Sequence, residues 1–552
     1  MQKVAVSNSK KRMPSQIRNL AGSARMENPE ASYHGKVKGA MPIELTLALR
    51  GPPLPDFDGK PISGLSQKQL KDKFGASKAD AILVCKVMRD FGFEIQNINI
   101  AARSIGIKGT VAQAIKAFDP SLAMYKNEDQ GVFRDRTGGY HVPAELEGIV
   151  SAVIGLSQRR IIRPKRVVKD QNRLADILPA ATPADIEKIY DFPKGTAAGQ
   201  KIAIAEFGGG YIASDLKAYC KKFGRTVPDV RAISVNAPAY TWSQLKKLPR
   251  STRQDELSCT DEVMLDSEII AGLCPRAKIN IYFATFDQKG FVDLLNRVIA
   301  DRPVVLSISW AVTEDASDWS GAARTAINER LALAAASGIT VCAAAGDDGA
   351  GDGRRGKIAR VGFPASSPYV LGVGGTQIGG SNGKLEEVTW WFTPGTRSGG
   401  GASTGGGVSS IFDRPKWQNV RIKSGNRGAK NGRVVPDVAA LAEGPRYSYV
   451  LFGKNERGAG TSASAPVWAA LIARVNQKLP KAKKQRFLTP LLYRKLANGK
   501  SLGAAVCHDI TVGNNRTEPP GFGYSAKRGY DAVTGWGSPN GKALLKKLGN
   551  LK

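Results

Sequence analysis

Lys201–Tyr211 reads KIAIAEFGGGY, a run of small and β-branched apolar residues closed by an acid and a glycine loop. A stretch apolar on both faces is the pattern of a strand buried in a parallel sheet. Three further stretches share it: Ile279–Phe286 (INIYFATF), Val304–Val312 (VVLSISWAV) and Ile339–Gly349 (ITVCAAAGDDG). Segments with helical spacing separate them, at Asp261–Leu273 (DEVMLDSEIIAGL), Phe291–Arg302 and Gly321–Gly338. Strands alternating with helices imply an α/β fold with a parallel sheet and right-handed crossovers. In such sheets functional residues gather at the carboxyl ends of strands. Glu206, Trp310 and Asp347 stand at such ends.

Upstream the pattern changes. Residues 1–40 are polar and are expected to be disordered. Met41–Gly51 alternates as a strand. Ser66–Gly92 has helical spacing interrupted at Gly75, Phe93–Thr110 alternates again, and Val111–Asp119 reads as a helix. Gly138–Leu156 closes this part with a strand and a short helix. Residues 41–156 thus form a small α+β unit, 157–180 a basic linker, and 181–552 the larger domain. The latter opens on a helix capped by Thr182 or Asp185.

Composition narrows the function. The 552 residues carry a formal charge of +32, with 42% hydrophobic and 23% charged residues. That composition suits a soluble globular protein, and no apolar stretch reaches the roughly 18 residues of a membrane span. The first 25 residues lack the apolar core of a secretory signal. The densest basic run, Arg159–Lys169 (RRIIRPKRVVK), has no interleaved aromatics and no recognised nucleic-acid module beside it. It reads as a solvated, cleavable linker. Cys85, Cys220, Cys259, Cys274, Cys342 and Cys507 make no metal-ligand spacing. They read as buried thiols, with one disulfide, Cys259–Cys274, conceivable across the predicted helix between them. Of the three histidines, His34, His141 and His508, only the last lies beyond residue 150. A hydrolase in the larger domain therefore has one histidine to draw on, or none.

Gly458–Gln477 (GAGTSASAPVWAALIARVNQ) places Ser462 among tiny residues just before an apolar helix. Small neighbours admit a substrate backbone, and a helix N-terminus favours developing negative charge; the same pattern also makes a helix cap. A serine nucleophile needs a base, and carboxylates are what the domain offers. Glu262 and Asp266 are four residues apart, on one face of a helix. So close a pair raises one apparent pKa and titrates as a unit, although acids also suit an exposed helix start. Asp347 follows an apolar strand, where a carboxyl group can stay protonated and donate to an oxyanion, or can simply mark a turn.

Together, GTSASAP, EVMLD, AAAGDDG and AIAEFGGGY resemble the signature segments of the sedolisins, the serine-carboxyl peptidases, most closely the kumamolisin type. The similarity runs from Met41 to the C-terminus and includes STGGGVS (Ser403–Ser409), RVVPDVAALA and YDAVTGWGSP. The resemblance implies a subtilisin-like, doubly wound parallel sheet preceded by a ferredoxin-like prodomain that covers the cleft and assists folding. It implies Ser462 as nucleophile, Glu262 as general base and acid, Asp266 as its orienting partner and Asp347 as the oxyanion acid. Glu206 and Trp310 match positions that extend the network around the glutamate, or, for Trp310, pack the cleft. It also implies one structural calcium ion, with side-chain oxygens from Asp509 and Asp531 and carbonyls from Ile510, Lys527 and Gly529, oxygen donors that a hard cation takes. Lys527–Arg528 departs from the usual small residues, and two cations there would weaken the site. The expectation is a secreted, monomeric, self-processing acid endopeptidase acting on proteins and inhibited by its own propeptide, cut near Leu178 to Thr182. Two rivals stand beside it: a subtilisin-type neutral enzyme using His508, and a non-catalytic peptide-binding protein on the same scaffold.

Overall fold

The computed structural model describes residues 17–551 apart from 56, 58–63, 129, 161–162, 165–177, 355, 380–385, 392–401, 445, 485 and 519–520. The chain divides into two compact units: Met1–Gly51, Ala76–Arg159 and Ser320–Ala326, and Pro52–Gly75, Arg160–Trp319 and Ile327–Lys552.

In the first unit, the strands are β1 (Ile17–Asn19), β2 (Ser32–Lys36), β3 (Pro42–Leu49), β4 (Glu94–Asn99), β5 (Ser104–Thr110), β6 (Ser121–Asn127), β7 (Gly131–Thr137), β8 (His141–Pro143) and β9 (Val150–Ile154). The helical stretch broken at Gly75 becomes α1 (Gln67–Phe74), which belongs to the second unit, and α2 (Lys78–Asp90). The break follows from local chemistry: Gly75 is extended, and Ser77 starts α2 afresh by accepting a hydrogen bond from the Asp80 amide at 3.2 Å. Thr110 and Gln113 form a capping box on α3 (Val111–Phe118). The antiparallel order β4-β5-β3-β9, with α2 following β3 and α3 following β5, is the ferredoxin-like βαββαβ arrangement.

One expectation fails here and another proves incomplete. Residues 17–40 are not disordered: β1 pairs with β8 and β2 with β6, because main-chain pairing needs no apolar composition. Residues 1–16 lie outside the described set. Gly138–Leu156 holds the expected strand, β8, and a short helical turn at Ala144–Leu146, and a further strand, β9, then completes the sheet beside β3.

The second unit is built on a sheet of β11 (Lys201–Glu206), β12 (Asp229–Ser234), β13 (Lys278–Phe283), β14 (Val305–Ile308), β16 (Thr340–Ala344), β18 (Leu371–Gly379) and β19 (Glu386–Thr389). Their order is β12-β13-β11-β14-β16-β18-β19, parallel except for β19, and β20 (Val438–Glu443) adds parallel to β18. The order reverses between β11 and β14, so the topological switch point lies where Glu206 ends β11 and Ser309 follows the end of β14. A smaller three-stranded sheet, in the order β10 (Arg163–Pro164), β15 (Trp310–Thr313) and β17 (Gly362–Phe363), sits at that end.

The helices of this unit include α4 (Pro183–Ile189), α5 (Ala213–Lys222), α6 (Arg250–Leu273), α7 (Gln288–Asp301), α8 (Gly321–Ala336, whose first residues fall in the other unit) and α9 (Thr461–Lys478). Thr182, not Asp185, caps α4, with Asp185 returning the bond. Helix α9 is buried from Thr461 through Asn476, as a helix threading the core must be. No helix among the described residues is long and apolar enough to cross a membrane.

All six cysteines are free thiols. Cys259 lies inside α6 and Cys274 at its end. Fifteen residues of helix place them roughly 22 Å apart, beyond any disulfide. Within the expected processing stretch Pro179 is exposed and Leu178 and Ala180 are half-buried. Ala181 is buried and pinned by main-chain bonds to Arg446 (2.8 Å) and Ser448 (3.1 Å), so the bond after it is not exposed.

Candidate active site

Helix α6 begins eleven residues before the expected start at Asp261, so Glu262 and Asp266 occupy its middle turns. They are 1% and 0% exposed, which rules out a solvated acidic helix start. The glycine loop after β11 makes this burial possible. Gly209 has φ +80°, and a Cβ there would stand 2.6 Å from the Thr260 amide nitrogen, so only glycine lets the loop lie on α6.

Glu206 ends β11 fully buried and accepts a hydrogen bond from Trp310 Nε1 at 2.9 Å. Burial, then the Asp266 and Glu262 carboxyls, push its pKa well above the usual range. Asp266 is raised in the same way, by burial and then by Glu262, with the Ser309 hydroxyl opposing. Three carboxyl groups thus share one desolvated site, and they cannot all ionise.

Ser309 ties this cluster to the serine. Its Oγ lies 2.7 Å from Asp266 Oδ2 and 3.3 Å from the main-chain oxygen of Ser462. The residue four positions on is Pro466, which lacks the N–H that an α-helix would normally aim at that oxygen. One hydroxyl proton faces two acceptors. The shorter contact takes the hydroxyl proton, so Ser309 donates to Asp266 and opposes the rise in its pKa. Ser462 is the second residue of α9, buried, and the helix is preceded by Gly460 at φ +111° with no side-chain cap, so Ser462 is not a cap.

Asp347 follows β16, fully buried. Its Oδ1 accepts from the Thr461 amide (3.0 Å) and the Thr461 hydroxyl (2.6 Å), fixing the carboxyl beside the residue preceding Ser462. The Ser403 amide bonds to the Asp347 carbonyl at 2.9 Å, so the STGGGVS segment backs this loop. His508, by contrast, is exposed and pairs with Ser538 in a short ribbon.

Residues 30–159 match the model of the pro-kumamolisin activation domain, and residues 256–524 that of the subtilase family. Kumamolisin of Bacillus sp. (strain MN-32) is 37% identical over 554 residues, covering 96% of this chain and 96% of its own. The chain belongs to the sedolisin family of serine-carboxyl peptidases. Sedolisin of Pseudomonas sp. (strain 101) is 27% identical over 498 residues, covering 86% of this chain and 80% of its own. The structure of Pseudomonas sedolisin complexed with pseudo-iodotyrostatin superposes with a TM-score of 0.55 at 26% identity, over 67% of this chain and 98% of that one. This sedolisin is therefore a serine-type peptidase made as a zymogen with an activation domain.

Two residues of its site escape sequence reading. Ser309 is one polar residue in an apolar strand end, and its position at the switch point is the only sign of it. Thr461 reads as a helix cap, whereas it holds Asp347.

In the C-terminal loops the expected metal ligands meet in two pairs. The Gly529 amide donates to Asp509 Oδ2 at 2.8 Å and the Lys527 amide to Asp531 Oδ2 at 3.0 Å. Asp531 is buried, and desolvation pushes its pKa up to about 6. The side chains of Lys527 and Arg528 are exposed, so their charge is solvated rather than aimed at the site. No group of three or more His, Cys, Asp or Glu fit to hold a metal occurs among the described residues, so any ion here relies on carbonyl oxygens.

Proposed function

We propose that this sedolisin is an acid-active endopeptidase that processes itself, with Ser462 as nucleophile and Glu262 as its base. The observation that carries this reading is the cluster of Glu206, Glu262 and Asp266, buried at the switch point and tied to Ser462 through Ser309. Ser462 Oγ attacks the scissile carbonyl carbon while Glu262 takes its proton. Asp347, protonated on the oxygen not held by Thr461, donates to the oxyanion together with a backbone N–H. Glu262 returns the proton to the departing amine, leaving an acyl-enzyme. Water then attacks, giving its proton to Glu262, and Ser462 recovers that proton as the acid product leaves. Asp266 and Glu206 hold Glu262 in register, and each must carry a proton for the cluster to persist.

Incubating the purified full chain at about pH 4 tests this, since a carboxyl machinery works near its own titration range. The expected result is a shorter form and cleavage of added protein, both lost in Ser462→Ala and neither seen at neutral pH. Processing that is undiminished in Ser462→Ala would overturn it.

For the C-terminal loops we infer a structural calcium ion on Asp509 and Asp531 with the carbonyls of Ile510, Lys527 and Gly529. The all-oxygen donor set and the buried Asp531 carboxyl fit a hard cation. Such an ion supplies only charge compensation, joining the two loops. Chelator should lower the melting temperature of wild type by several degrees and leave Asp531→Asn unmoved; equal shifts in both would remove the ion from the account.

A further inference from the structure

The start of the linker shows how this sedolisin holds an extended chain. Arg163 lies opposite Ala311 and Pro164 opposite Trp310, antiparallel, on the strand that leads out of the site. Three residues before Arg163, the Arg160 guanidinium sits 2.8 Å from Asp255 Oδ2 and lies over the Phe286 ring at 5.4 Å. Asp255 belongs to α6, two turns before Glu262. The recess is rigid. Phe286 packs edge-on against Trp310 (4.9 Å between centroids), and Trp310 is fixed in turn by Glu206. Glu256, next to Asp255, accepts from the Gly209 amide at 2.5 Å and also feels the Arg160 charge, while Asp255 makes the direct 2.8 Å ion pair.

Resting on the peptidase reading, we propose that Asp255 and Phe286 form a substrate subsite for an arginine or lysine side chain, three residues N-terminal to the one that pairs with Ala311. β15 has β17 on one edge and the linker on the other, so removal of the linker opens an edge to which a substrate adds as an antiparallel strand. A peptide in the same register sets its own side chain where Arg160 lies. A carboxylate beside an aromatic face suits a cation there, combining an ion pair with a cation–π contact. Arg160 occupies the subsite in the full chain, so the linker is held as a substrate would be.

The test uses two synthetic peptides copying Gln158–Asp170, one with Arg160 and one with Arg160→Gln. Each competes for cleavage of a protein substrate by the acid-processed full chain. With wild type, the Arg160→Gln peptide should show an inhibition constant about fivefold weaker, a gap that narrows at high salt. With Asp255→Asn or Phe286→Leu enzyme, the two peptides should differ by less than about twofold, through the loss of tight binding by the Arg160 peptide. Equal inhibition by both peptides in wild type, or the same gap in all three enzymes, would overturn the subsite while leaving the peptidase intact. Absence of any protein cleavage would instead indict the peptidase reading.

Discussion

Asp135 in the first unit and Asp266 in the second are both buried, at 1% and 0% exposure, yet they meet neighbours of opposite sign. Asp135 accepts from Arg159 Nε at 2.7 Å and from Ser157 at 2.6 Å, with Arg25 at 3.7 Å. The charged groups acting on Asp266 and on Glu206 are other carboxyls. Burial alone therefore does not decide what a carboxyl group does. Beside arginines it is a structural anion that holds the prodomain's last residues to β7. Beside its own kind it is an acid that prefers to keep its proton, which is the property a carboxyl-based peptidase requires.

The largest effect should come from removing the compensated anion. Asp135→Asn removes the buried carboxylate that Arg25 and Arg159 share, a change of about 3–5 kcal/mol. Hydrogen exchange should show protection falling across Ser121–Thr137 while the large sheet keeps its protection. A loss under about 1 kcal/mol would mean the pairs contribute as weakly as surface ones.

The uncompensated cluster should respond with the opposite sign. Because the folded-state pKa values of Glu206 and Asp266 are raised, the native state binds more protons than the unfolded chain above about pH 4, where free carboxyls ionise. Stability then falls as pH rises through that window. Glu206→Gln cannot ionise, so it should gain about 1–3 kcal/mol relative to wild type near neutral pH and nothing below about pH 4. Urea melts at the two pH values decide this, and a gain of equal size at both would refute the charge argument.

A smaller effect tests the bridge between cluster and serine. Ser309→Ala removes a donor that favours ionised Asp266, so the apparent pKa of the site should move up. Turnover should fall about tenfold, the scale of one hydrogen bond to a charged group, with KM little changed. A change in KM alone would assign Ser309 to substrate binding.

Much of this was legible in the sequence. The apolar strands ending in Glu206 and Asp347, and the spacing of Glu262 and Asp266, announce themselves through periodicity and composition. What stayed hidden depends on partners distant in the chain. Asp255 lies in polar first turns of α6 that carry no apolar stripe, and Ser309 gains its meaning only from the fold that brings it to Asp266 and to the Ser462 carbonyl. Strands β1, β2 and β10 have no alternation to read, since their pairing is set by the edges they meet. The strength of Asp135's pairing is likewise invisible, because Arg25 lies more than a hundred residues away.

The central claim, that a carboxyl cluster rather than histidine serves Ser462, is tested most directly by the pH–activity profile of wild type beside Glu262→Ala. The account predicts activity confined to acid in wild type and none at any pH in the variant. A neutral optimum, or activity that survives the loss of Glu262, would contradict it.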